Sequence, residues 1–325
     1  MPANGGSLSP AGLAGSPDGL YRCRCRRPSS VSGRGASIPA GSRSVAAHAV
    51  LIRVGSRGSR LALAQAELAA ARLRGPGIEI ALVPITTAGD RDRTKPFGEI
   101  GSRGVFVKEL EEALLDHRID VAVHSAKDMT SVDPEGLAVG AYLERSDPRD
   151  ALCGVDAIRP GMRVGTASAR RKAQLLALEP TLSIEPLRGN VETRLRKRGE
   201  RGLDAIVLAA CGLDRLGLSR EIGHRFAPEE LLPEAGQGAL ALQVRAGDEH
   251  FVAAVDHGET RRRVEAERAL VAAVGGGCLA PVAAHHDGAT LTGLVAAEDG
   301  SWLERRSGDD APTLGYELAR LAAGR

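Results

Sequence analysis

The segment His124-Ser125-Ala126-Lys127-Asp128 sets a carboxylate beside an ammonium group at the end of an apolar run, Ile119-Asp120-Val121-Ala122-Val123. That run reads as a short buried strand with a helix-like segment before it. In an open parallel sheet, residues just past a strand's carboxyl end line the ligand crevice. Asp128 is therefore a candidate for proton transfer or for stabilising a cation. A lone aspartate after a strand is more often a cap or a surface ion pair, so its companions decide the matter. One is Cys278, in Gly275-Gly276-Gly277-Cys278-Leu279-Ala280-Pro281. Glycines let backbone approach a ligand closely and hold the thiol on a loop, which shifts a residue that is usually core filler toward chemistry.

The other companions are arginines. Of 43 Lys+Arg only five are lysine (Lys95, Lys108, Lys127, Lys172, Lys197). A planar guanidinium fork suits carboxylates and phosphates. GC-rich codon usage accounts for much of the excess but not for its clustering at four strand-end turns. These are Gly55-Ser56-Arg57-Gly58-Ser59, Thr166-Ala167-Ser168-Ala169-Arg170-Arg171, the run from Leu187 through Arg188 to Arg194, and Cys211-Gly212-Leu213-Asp214-Arg215. Helix N-termini there add backbone donors and a favourable dipole. Each arginine alone is more often a solvated surface residue, and Ser59 is as much a cap as a ligand. Together they describe a cleft for a molecule bearing several carboxylates.

The elements that must position these groups are legible. Residues 1–48 are Gly-, Ser-, Pro- and Arg-rich with Asp18 the only acid, too polar to offset ordering entropy. They read as an unstructured extension in preference to an organelle transit peptide. A strand at 50–54, a helix at 60–74 capped by Ser59, and a strand at 78–85 make a βαβ unit and imply a parallel sheet. A helix at 109–115 precedes the strand ending at His124. After Pro148 come a strand edge at 163–165, a helix at 169–178, a strand at 182–187, a helix at 191–198 and a strand at 205–209. An apolar run at 239–244, a long helix at 259–274, short strands around Leu291 and Trp302, and a last helix from Leu314 follow. Two α/β domains and a small α+β tail fit this order. Five scattered cysteines give no disulfide or metal spacing, and His285 and His286 read as surface residues, so no metal site is expected. The thiols suit a reduced cytosolic compartment. No apolar run reaches membrane-spanning length. A net charge of +2 and 2% aromatic residues argue against a nucleic-acid partner.

These segments together resemble the porphobilinogen deaminase (hydroxymethylbilane synthase) family, from about Val50 to near the C-terminus. The motifs are Val54-Gly55-Ser56-Arg57 with Leu61-Ala62-Leu63 and Gln65; Gly104 to Leu110; His124 to Asp128; and Asp147-Pro148-Arg149-Asp150. Arg188-Gly189-Asn190, Pro233 to Ala239 and Gly276-Gly277-Cys278 complete them. The resemblance implies an α/β fold of three domains: two periplasmic-binding-protein-like α/β domains flanking a cleft, and a small α+β C-terminal domain carrying the cofactor cysteine. The implied limits are 49–145 with 237–256, 146–236, and 257–325. It implies a transferase that polymerises four porphobilinogens to hydroxymethylbilane, releasing ammonia, in porphyrin and haem biosynthesis. Cys278 would carry a dipyrromethane cofactor through a thioether. Asp128 would be catalytic, assisting amine departure and stabilising the azafulvenium cation. Lys127, Asp128, Ser168, Arg170, Arg171 and Arg194 would bind the cofactor; Arg57, Ser59, Gln65, Arg188, Arg194 and Arg215 would bind substrate. A cytoplasmic monomer passing its product to uroporphyrinogen-III synthase is also implied.

Five positions depart from the family pattern. Arg60 replaces a proline and faces an unfavourable helix dipole of up to ~1 kcal/mol; a surface role suits it. Thr130 replaces a proline and Ala167 a serine. Glu99 and Arg103 replace lysines in a loop read as a lid. The rival reading is a non-catalytic anion receptor of periplasmic-binding type, which would use the same cleft and need neither Asp128 nor Cys278.

Overall fold

The computed structural model describes residues 49–86, 107–130, 132–275 and 281–325. Cys278 with its flanking glycines, Gly104, Glu99, Arg103 and the extension at 1–48 lie outside the described residues.

The first sheet is built from β1 (Val50–Arg57), β2 (Ile78–Ile85), β3 (Val121–Ser125), β4 (Leu137–Tyr142) and β10 (Leu240–Arg245), in the order β2-β1-β3-β10-β4. β1 is parallel to β2 and β3, whereas β10 runs antiparallel to both β3 and β4. Helix α1 (Arg60–Leu73) covers one face. Ala66, Ala69 and Leu73 pack there on Ile52, Val54, Val121, Val123 and Leu242. Helix α2 (Lys108–Leu115) covers the other through Leu110 and Leu114 against Ile119 and Ala122. Burying each such Leu, Ile or Val contributes roughly 1.5–3 kcal/mol. β1 outruns the strand read at 50–54, because β2 pairs with it as far as Arg57↔Ile85. Gly55 and Ser56 therefore belong to the strand, and the turn begins at Gly58.

The second sheet holds β5 (Asp150–Cys153), β6 (Arg163–Gly165), β7 (Ser183–Glu185), β8 (Ala205–Ala209) and β9 (Ile222–Arg225), ordered β7-β6-β8-β5-β9. β6, β7 and β8 are parallel; β5 is antiparallel to β8 and β9. The strand read at 182–187 shortens to three residues, the length over which β6 pairs with it. Alternation along β8 sends Ile206 and Leu208 to one core and Val207 to the other. Helices α3 (Ala169–Leu178), α4 (Val191–Glu200) and α5 (Ala210–Arg215) complete this part.

The third part pairs α6 (Gly258–Ala273) and α7 (Ala311–Ala323) with the antiparallel sheet β11 (Val282–His286), β12 (Leu291–Ala296) and β13 (Leu303–Gly308). Leu270, Val271, Val295, Leu314 and Leu318 form its core. One expectation is corrected here. His285 is buried, not at the surface, because β11 packs against α6 and brings its Nδ1 3.4 Å from the buried Glu267.

Three layered parts, two α/β and one α+β, are the architecture expected from the sequence; the parallel sheet implied by the first βαβ unit is instead mixed, because β10 and β5 run antiparallel to their neighbours. Because β1 and β3 are parallel neighbours, their carboxyl ends meet on one edge, where Arg57 and Asp128 stand. β10 pairs Leu240 with Ser125 and braces that edge from the other side.

Candidate active site

Immediately after β3 the chain makes one 3-10 turn, Ala126–Asp128, stitched to the return strand by Ala126 N–H donating to Ala239 O at 3.1 Å. Asp128 thus reaches a pocket also lined by Arg57, Ser59, Gln65, His124 and Ser125. Burial raises its carboxyl above the ordinary range. Lys127, Arg57 and Arg194 pull it back down, and Glu234 adds to the rise. The net effect is upward, so the protonated form is favoured relative to an exposed aspartate.

Ser59 is the N-cap of α1, its hydroxyl accepting from Ala62 N–H at 3.3 Å. One turn on, buried Gln65 donates to Ser125 Oγ at 3.1 Å, locking α1 to the end of β3. His124 is buried and hydrogen-bonded to Gln243 at 3.0 Å; desolvation pushes it down to about 4, so it is neutral here. Arg60 is exposed, 3.4 Å from Glu192.

Across the second sheet, Ser168 caps α3, accepting from Arg171 N–H at 3.4 Å. Arg170 and Arg171 are both buried, and both engage Asp150 of β5. Arg170 Nη1 donates to Oδ2 at 2.7 Å, and Arg171 Nε and Nη2 donate to Oδ1 at 3.0 and 2.7 Å. The two guanidinium groups hold the Asp150 carboxyl well below the usual carboxylate range, against its burial. Gln237 joins them, donating to Asp150 Oδ1 at 2.9 Å and accepting from Lys127 Nζ at 3.3 Å. The Lys127 ammonium is therefore tied to the arginine cluster through one amide. The sequence reading gave Asp150 and Gln237 no role. Asp150 lies 20 residues from Arg170 and Gln237 lies 66 from Arg171, so no local spacing announces either.

Arg194 sits on the first turn of α4, which Asn190 caps by accepting from Thr193 N–H at 2.8 Å. Burial, with Arg171 nearby, lowers its guanidinium to about 10; Asp128 opposes that. Arg215 closes α5, donating from Nη2 to Gly238 O at 2.7 Å and to Ser146 Oγ at 3.1 Å. Arg188 is exposed in the preceding turn, its carbonyl accepting from Lys197 Nζ at 3.2 Å. The described cysteines, Cys153 and Cys211, are buried and unpaired. Burial pushes the Cys153 thiol up to about 11, far from a thiolate at neutral pH. Among the described residues no cluster of three metal-ligating side chains occurs. No helix among them is long and apolar enough to cross a membrane.

A dipyrromethane carries acetate and propionate carboxylates, and the site can be tested for fit to such a group. Nε of Arg194, Nε of Arg215, and Nε and Nη2 of Arg170 are buried donors with no hydrogen-bond partner among the described residues. Buried cationic donors left unspent are costly unless an anion takes them up. The residues present fit a polycarboxylate.

Residues 52–253 match the model for "Porphobilinogen deaminase, dipyromethane cofactor binding domain", and residues 261–323 match the model for its C-terminal domain. Porphobilinogen deaminase from Syntrophotalea carbinolica is 47% identical over 266 residues, covering 78% of this chain and 84% of that one. The protein of that name from Pelobacter propionicus is 45% identical, covering 82% and 92%. The one from Chromobacterium violaceum is 45% identical, covering 83% and 93%. Among solved structures, a TRAP periplasmic solute binding protein from Desulfovibrio salexigens covers 66% of this chain and 74% of its own, at 9% identity and a TM-score of 0.40. The chain belongs to the porphobilinogen deaminase family, transferases that polymerise porphobilinogen with a dipyrromethane cofactor in tetrapyrrole biosynthesis.

Proposed function

We propose that Asp128 is the catalytic carboxylate of this enzyme and that Cys278 carries its dipyrromethane as a thioether. The observation that carries the reading is the setting of Asp128: a carboxyl raised by burial, on the pocket at the end of β3, in the fields of Lys127, Arg57 and Arg194. Protonated, it can hand a proton toward the departing amine of porphobilinogen. Ionised, it faces the cation that departure leaves and accepts from pyrrole N–H groups. When bound, the dipyrromethane supplies the pyrrole carbon to which substrate is joined. Lys127, Ser168, Arg170, Arg171 and Arg194 hold its carboxylates. Arg170 is better equipped for this than Arg171, since it keeps two unspent donors while Arg171 spends its fork on Asp150. Arg57, Ser59, Gln65, Arg188, Arg194 and Arg215 orient the incoming substrate.

Return of β10 to the first sheet supports domain limits of 49–145 with 237–256, 146–236 and 257–325. The enzyme works as a cytoplasmic monomer and passes its product to uroporphyrinogen-III synthase. Intact mass and peptide mapping of the purified holoenzyme test the attachment. An adduct of two porphobilinogens less two ammonias on the Cys278 peptide supports it; a bare Cys278 after incubation with porphobilinogen, or an adduct elsewhere, removes it.

A further inference from the structure

The Ala126–Asp128 turn rests on residues 234–239, and that segment is held by Glu267 of the third part together with Arg145 of the β4–β5 connection. Gly236, at φ +72, lies so close that a methyl group there would sit 3.0 Å from the Ala126 carbonyl carbon and from Lys127 N. Lys127 Nζ donates to Gln237 and Ala126 N–H to Ala239 O. Two side chains grip this segment from behind. Glu267 of α6, fully buried, accepts from Gly236 N–H at 2.7 Å. Arg145, in the connection from β4 to β5, donates from Nε to Gln237 O at 2.9 Å. Arg145 and Glu267 are themselves joined fork to fork at 2.6 and 3.1 Å. The Gly236–Gln237 peptide is thus held at its leading N–H and its trailing carbonyl by one ion pair. Glu267 also accepts from His286 N–H at 2.8 Å, tying the clamp to β11.

We infer that Glu267 is a positioning residue for Asp128: with Arg145 it fixes the Gly236–Gln237 turn that backs the Ala126–Asp128 turn. The inference rests on the reading of Asp128 given above. Glu267 touches neither the pocket nor any arginine of the carboxylate cluster. Its Oε2 is spent on the backbone that supports the Ala126–Asp128 turn, while Oε1 takes Arg145 and the His286 N–H of β11. Its loss should move Asp128 by fractions of an ångström without changing the pocket's charges.

The test is a double-mutant cycle on folded, cofactor-loaded enzyme, combining Glu267→Gln with Asp128→Glu. Glu267→Gln keeps a carbonyl acceptor for Gly236 N–H but leaves Arg145 without its counter-charge. The expected result is a kcat lowered about 10- to 100-fold with KM within about twofold, the pattern of misplaced reacting groups. In the Asp128→Glu background the same change should cost less than about threefold, because the position it guards is already altered. Equal loss in both backgrounds, or an unchanged kcat per folded holoenzyme, overturns the inference while leaving Asp128's role intact. Near-normal turnover by Asp128→Glu and by Asp128→Asn would instead remove the reading beneath it. Should Glu267→Gln fail to accumulate folded, Arg145→Lys keeps the counter-charge for Glu267 but drops the Nε donor to Gln237 O, and the same cycle applies with the same outcomes.

Discussion

Replacing Asp150 by asparagine should be among the most damaging single-atom changes available in this protein. Asp150 is 0% exposed, and the Arg170 and Arg171 side chains that flank it are 4% and 6% exposed. Asparagine preserves volume, so the cost is not that of a cavity. It removes the counter-charge from two guanidinium groups and turns an –NH2 toward donors. Breaking a buried pair from one side costs about 3–5 kcal/mol, because the remaining charge stays out of water. At roughly 2–4 °C per kcal/mol for a chain of this size, the midpoint should fall by about 6–20 °C. Urea unfolding at neutral pH with thermal scans measures this, and Asp156→Asn is the control. Its partner Arg159 and Asp156 itself are 56% and 77% exposed, and an exposed pair contributes under about 1 kcal/mol. The pH dependence gives a second check. Because Asp150 titrates below its unfolded value, its stabilisation is present above about pH 4 and is lost as acid protonates it. The variant's stability should therefore fall less steeply below pH 4. A loss under about 1 kcal/mol would refute the reasoning and mean that the arginines are hydrated or matched by another anion.

His124 should govern a different window. Its folded value of about 4 lies below the ordinary 6.5, so the unfolded chain takes up a proton first and stability falls as pH drops from 6.5 toward 4, by about 3 kcal/mol in all. A His124→Gln variant compared by urea titration should lose that slope; an unchanged slope would show that His124 does not carry it. Arg194→Gln should lower turnover through weakened carboxylate binding yet hold or raise the melting temperature, since it removes a cation that burial disfavours. A parallel fall in stability and turnover would assign Arg194 a structural role instead.

How far the sequence could be read depended on the range of the interaction. β2, β6, β8 and α3 match their sequence-read bounds end to end, because apolar runs and caps such as Ser168 are local signals. No strand is read from the sequence at β4, β5, β9 or β11. β5 opens on a charged residue, β9 is Ile-Gly-His-Arg, and each is a strand only by virtue of an antiparallel partner far along the chain. Asp128 and the arginine turns were visible because strand ends and helix starts announce themselves. The groups that hold them were not: Asp150 beneath Arg170 and Arg171, or Glu267 joined to Arg145 across 122 residues. The burial of His285 is hidden in the sequence for the same reason, since nothing beside it tells of Glu267.

The central claim is that this fold presents Asp128 to porphobilinogen as the reacting carboxylate. Steady-state bilane formation by Asp128→Asn, measured on folded holoenzyme against the parent, tests it most directly. The account predicts an unaltered fold with turnover lowered about 10²- to 10⁴-fold. Turnover within a few-fold of the parent would contradict it and move the chemistry to another group on the pocket.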